Sequence, residues 1–173
     1  MVNGMSGPIH HSQFPIRHSP TQGTLLLDRL GIAYTLHPYA YDPDAPRIGL
    51  QAAAALGIDP AQTFKTLMAE VDGRPVCVVV PSDTEVSMKK LASCFGGKAA
   101  AMMKVPDAER LTGYRVGGIG PFGQKRKVPT AIDETAELHD SIYINAGQRG
   151  LLLALAPADA MRAAEMVAAD LTA

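Results

Sequence analysis

The stretch from Thr112 to Asp133, TGYRVGGIGPFGQKRKVPTAID, holds five glycines, two prolines and four cationic side chains. Glycines at Gly117, Gly118, Gly120 and Gly123 let a main chain approach a ligand closely and take positive φ, which can present several N–H donors in one concavity. Lys125, Arg126 and Lys127 follow at once. That combination suits a phosphate or an oxyanion carried on a flat, polar framework. The alternative is a loop that the glycines and prolines merely turn, with the three cations as a solvated face. Gly118, Gly120 and Gly123 also match the G-x-G-x-x-G spacing of dinucleotide sites. QKRKVP follows with no apolar helical period, however, so no helix N-terminus is expected to receive a pyrophosphate.

Lys65 is the second candidate. It lies in TFKTLMAEV, which alternates as a strand does, so its side chain shares a face with Leu67, Ala69 and Val71. An amine emerging beside apolar walls can serve a buried anion, or it can snorkel from the strand end. Other chemistries find little support. Outside the first 20 residues only His37 and His139 remain, and no G-x-S-x-G elbow occurs, so a serine-histidine-acid triad is not expected. His10, His11 and His18 come with no carboxylate or cysteine to complete a metal site, and no metal or cofactor is expected. Cys77 and Cys94 form no C-x-x-C pair; Cys77, inside VCVVV, reads as a small buried hydrophobe.

The net charge of −1 hides an asymmetry. Residues 89–130 carry nine Lys/Arg against two Asp/Glu, whereas residues 1–88 carry five against eight and residues 131–173 two against seven. Such a block can grip a short portion of a nucleic acid, while a pI near 6.5 argues against coating long duplexes. With no apolar run near 18 residues and no signal peptide, a soluble cytoplasmic protein with reduced thiols and no membrane contact is expected.

The elements that must position these residues follow from pattern. Residues 1–20 are expected to be a disordered tail, and 21–173 a single domain. Thr21 to Leu30 reads as a helix, IAYTLHPY as a strand, and LQAAAALG as a helix closed by Gly57. TFKTLMAEV and RPVCVVVP are two strands joined at Asp72-Gly73, a type I′ hairpin signal. A helix over Met88–Phe95, a strand over Lys98–Met103 and a helix over Pro106–Leu111 come next. SIYINAG and LLLALAP are strands around GQRG, and a last helix is expected over Pro157–Leu171. Hairpins mixed with helices point to an α/β (α+β) domain around a mixed sheet.

Three passages then carry a resemblance: FKTL at Phe64–Leu67, the whole of Thr112–Asp133, and GQRGL at Gly147–Leu151. From about Thr24 onward the chain resembles the YbaK family of aminoacyl-tRNA deacylases, kin to the editing domain of bacterial prolyl-tRNA synthetases. Gly117 and Pro121 fit the G-x-x-x-P loop of that superfamily. The resemblance implies a largely antiparallel sheet or partial barrel flanked by helices. It also implies hydrolysis, in trans, of the ester joining a wrong amino acid to the tRNA 3′ end, without a metal or a side-chain nucleophile. Lys65 would hold the terminal adenosine or its phosphate. N–H groups of the loop at Gly117, Gly118, Ile119 and Gly120 would stabilise the oxyanion. Tyr39, Ile48, Thr66, Pro121, Asn145 and Gly147 would line the substrate pocket, and Lys125, Arg126 and Lys127 would hold tRNA phosphates. The implied partners are mischarged proline tRNA and prolyl-tRNA synthetase. Ile48, Asn145, Leu152 and GGIGPFG differ from the cysteine-preferring pattern, which leaves cysteine, alanine and serine open as the residue removed. A non-catalytic tRNA- or synthetase-binding module is the alternative.

Overall fold

The computed structural model describes residues 19–173. The tail expected over residues 1–20, with His10, His11 and His18, thus lies outside the described residues except for its last two positions. Eight strands form one mixed sheet in the order β1-β7-β6-β2-β3-β5-β8, and β4 pairs with β2 beside that path. The strands are β1 Thr35–Pro38, β2 Thr63–Val71, β3 Arg74–Pro81, β4 Ala100–Met102, β5 Thr130–Asp133, β6 Ile142–Gln148, β7 Leu151–Leu155 and β8 Met166–Ala169. The helices are α1 Gln22–Arg29, α2 Ile48–Leu56, α3 Met88–Cys94, α4 Val105–Thr112 and α5 Pro157–Ala164.

Local chemistry accounts for most boundaries. Thr21 caps α1 in a reciprocal box with Thr24, and Gly57 ends α2 in the left-handed region. Asp72 and Gly73 both have positive φ, as a type I′ turn requires, and they set the register that pairs Lys65 with Val80.

One strand was not foreseen and one expectation changes. Thr130–Asp133 is a strand, because it lies parallel to β3 and is buried at all four positions. The last helix stops at Ala164: Glu165 turns left-handed (φ 51°), and Met166–Ala169 pairs in parallel with β5. An alanine-rich run that favours a helix by propensity is recruited instead by an open sheet edge.

The sheet separates two cores. On one face Phe64, Met68, Ile132, Ile144 and Leu153 pack with Leu27 of α1, Phe122, Ala108 of α4 and Ala160 of α5. On the other, Ala69, Val71, Val78 and Val80 pack with Leu91 of α3 and Leu171. Burying a side chain such as Leu91, which is wholly enclosed, contributes about 1.5–3 kcal/mol. Cys77 is also wholly enclosed, and burial pushes its thiol up to about 12. Among the described residues no helix is long and apolar enough to cross a membrane.

Candidate active site

The site begins as a break in strand pairing along one edge of β2. β6 pairs with that edge only at Thr63 and Phe64, and β4 joins it only at Ala69–Val71. The Met68 carbonyl accepts from the Met103 N–H (3.1 Å) on this edge. Backbone polar groups alternate between edges, so those of Thr66 also face it, where no strand meets them. A cavity of about 600 Å³ opens at the break and is lined by Lys65, Thr66, Ile48, Gly117, Ile119 and Asn145.

Each wall has its own physical reason. Lys65 stands on the face of β2 that carries Leu67, Ala69 and Val71, and its stem runs beside Gly49 in the first turn of α2. No carboxylate lies within 4 Å of its amine among the described residues. Thr66 faces the other way. Its Oγ1 is buried and has no hydrogen-bond partner among the described residues. Leaving a buried hydroxyl unsatisfied costs about 1–3 kcal/mol.

The glycine-rich loop is seated by close packing. A Cβ on Gly120 would collide with the Asn145 carbonyl, and one on Gly118 would lie 2.6 Å from the Arg149 nitrogen. Gly117 has φ +86°, with the Tyr41 hydroxyl where a side chain would start. Several side chains hold the loop, Asn145, Gln124 and Tyr114 among them. Asn145 donates to the Gly117 carbonyl (3.3 Å) while its Oδ1 accepts from the N–H groups of Gly147 (2.7 Å) and Gln148 (3.1 Å). Gln124 donates to the Gly120 carbonyl (3.1 Å). Tyr114 donates to the Phe122 carbonyl (2.6 Å), and burial pushes its phenol up to about 12.

The N–H of Gly118 is taken by the Arg115 carbonyl (2.8 Å). Those of Gly117 and Ile119, both on the cavity wall, donate to no acceptor among the described residues.

Other expected site residues lie elsewhere. Gly120 and Pro121 are buried beneath the loop and do not line the cavity. Gly147 is part of the bulge in β6. Tyr39 lies beside the β6–β7 turn, its N–H donating to the Gly150 carbonyl (2.9 Å), and burial pushes its phenol up. Lys125 and Arg126 line a neighbouring hollow that shares only Met103 with the cavity. Lys127 pairs with Glu165.

Arg47, Asp83, Glu85, Met102 and Met103 also line the cavity and were not anticipated. A turn between β3 and α3 carries the two carboxylates, and no local pattern signals that the fold brings this turn to the cavity.

No Cys or His lines the cavity, and no group of three His, Cys, Asp or Glu side chains able to hold a metal occurs among the described residues. The Ser82 hydroxyl is committed to the Thr63 carbonyl (2.7 Å). Among the described residues the lining thus offers no Cys–His or Ser–His pair.

Known proteins resemble this chain in sequence and in fold. The family model described as "Aminoacyl-tRNA editing domain" matches residues 42–163. EbsC of Enterococcus faecalis, named as an inferred Cys-tRNA(Pro)/Cys-tRNA(Cys) deacylase, is 33% identical over 139 residues, covering 79% of this chain and 84% of that protein. The proline–tRNA ligase of Streptomyces coelicolor is 36% identical over 91 residues, 53% of this chain but 16% of the ligase. The fold matches a crystal structure described as an inferred trans-editing enzyme for prolyl-tRNA synthetase, with a TM-score of 0.77 at 20% identity, over 88% of this chain and 95% of that one. With residues 42–163 matched and the expected class, an ester hydrolase acting on charged tRNA, being that of the match, the chain belongs to the aminoacyl-tRNA editing domain family.

Proposed function

We propose that residues 21–173 form one trans-editing domain that hydrolyses the ester of a mischarged tRNA, with cysteinyl-tRNA for proline as the leading substrate. The observation that carries this is the break in the β2 edge. Around one cavity lie an amine, a buried hydroxyl and two N–H groups that have no partner among the described residues. Lys65 holds the terminal adenosine or its phosphate, Thr66 meets a polar atom of the aminoacyl group, and the N–H groups of Gly117 and Ile119 receive the carbonyl oxygen as it gains charge. One such donor contributes about 2.7–4 kcal/mol to a transition state. Water is the attacking group, or the thiol of the substrate itself.

The need for such an enzyme follows from the energetics of selection. A synthetase pocket shaped for proline gains only about 1–3 kcal/mol of discrimination from a methylene-sized difference, so small intruders require a second sieve. Cysteine is favoured here by the name of the Enterococcus relative and by the apolar wall of Met103, Val105 and Ala108, which suits a small soft side chain. Alanine and serine remain as alternative residues. The work takes place in the cytoplasm, where prolyl-tRNA synthetase releases its errors.

The test is to charge proline tRNA in turn with cysteine, alanine, serine and proline, then follow the ester remaining after the protein is added. Fast loss of the cysteinyl ester is expected. Lys65→Ala should slow it about 10²-fold while thermal unfolding stays unchanged, as for removal of a group that binds the transition state. Persistence of all four esters at their spontaneous rate of decay, with tRNA still bound, would leave a binding module and overturn the hydrolase.

A further inference from the structure

Two carboxylates of the cavity have no part in the reaction as described. Asp83 and Glu85 are exposed and line the same cavity as Arg47 and Lys65. The turn that carries them is fixed from several sides. The Ser82 N–H and Oγ both donate to the Thr63 carbonyl, each at 2.7 Å, and Thr84 Oγ1 donates to the Pro81 carbonyl (2.7 Å). The Ala173 N–H donates to the Glu85 carbonyl (2.9 Å). Neither carboxylate has a cation within 4 Å among the described residues, although two cations line the cavity with them. The same cavity is lined by Thr66, whose Oγ1 has no hydrogen-bond partner among the described residues.

The geometry points to Asp83 and Glu85 as the anchor for the free α-ammonium of the aminoacyl group. This assignment rests on the cavity being the aminoacyl-ester site. An aminoacyl-tRNA end is a ligand of two signs, with anionic phosphates on one side of the ester and a cationic amine on the other. The lining of the cavity carries both signs as well, cations at Arg47 and Lys65 and carboxylates at Asp83 and Glu85. In a site for phosphates alone the carboxylates would only repel the ligand. With an ammonium between them they accept charge-assisted hydrogen bonds and fix which face of the ester meets Gly117 and Ile119. The amine also becomes a criterion of choice: an ester whose nitrogen is acylated, as in peptidyl-tRNA, brings no charge and is disfavoured.

Cysteinyl-tRNA for proline, or whichever of the four charged forms is cleaved, is compared with its N-acetyl derivative. Wild-type protein should cleave the free-amine ester about tenfold faster in kcat/KM, the scale of hydrogen bonds to a charged group. In the Asp83→Asn, Glu85→Gln double variant the ratio should fall to about two or less, mainly through KM for the free amine. The single variants divide the effect between the two side chains. Equal cleavage of both esters by wild type would overturn the anchor while leaving the hydrolase standing, and so would a preference that survives in the double variant. Cleavage of neither ester would remove the underlying reading, and the anchor with it.

Discussion

From Tyr114 to Gly123 the chain is folded into the molecule, with Gly118, Gly120, Pro121 and Phe122 buried, whereas Lys125, Arg126 and Lys127, a few positions later, are exposed. In sequence the two halves look like one polyanion site. In space they serve two surfaces, the loop facing the cavity of Lys65 and the cations facing hollows beyond Met103. The glycines differ as well. Gly117 and Gly123 need positive φ, but Gly118 and Gly120 are required because β6 and the β6–β7 turn press against them. Glycine density therefore reports close packing as much as exposed N–H donors, and adjacency in sequence does not make a single site.

The sharpest way to break this contrast is Gly120→Ala. Its methyl must displace β6, so a stability loss of about 1–3 kcal/mol is expected, the usual range for overpacking. Because the loop moves with it, deacylation should fall by more than about 10²-fold, a donor-removal scale; unchanged melting and activity would refute the packing account. Asn145→Asp is milder. It keeps the acceptor for Gly147 and Gln148 but loses the donor to Gly117, so kcat/KM should fall about tenfold with little change in melting, as for one lost hydrogen bond near the reacting carbonyl.

The exposed half should respond in binding rather than turnover. If Lys65, Lys125 and Arg126 each neutralise a phosphate of the single-stranded end, log K against log salt should slope about −2, and Lys125→Ala with Arg126→Ala should flatten it to about −1. Lys127→Ala should matter least, because Glu165 already holds that amine. A Lys127 effect as large as that of Arg126 would place all three on one phosphate track and erase the distinction.

Much of the frame was legible because its signals are local. The I′ turn at Asp72-Gly73, the Thr21 cap and the left-handed Gly57 are each decided by two or three neighbouring residues. β5 and β8 were not, since four-residue strands in parallel contact take their identity from partners far along the chain. The site divides in the same way. Lys65 and Gly117 stand out by residue type against pattern. Asp83 and Glu85 look like ordinary turn residues until the fold carries them to the cavity wall. The donor bond from Asn145 to Gly117 spans 28 positions, beyond the reach of any window.

The hydrogen bond from the Thr21 hydroxyl to the Ala146 carbonyl, 2.6 Å long, joins positions 125 apart, and it bears on how the enzyme is made. Contacts of such separation form late, and a ribosome adds only about 5–20 residues each second. When β2 and β3 have emerged, Lys65 is present, but the β6 carbonyl that seats Gly120 and the side chain that holds Gly117 have not yet been synthesised. A nascent chain stopped before Ile142 thus carries the lysine and the glycines without the surface that arranges them. The candidate site is therefore complete only once β6 and β7 have docked, which puts its assembly late in the making of the chain.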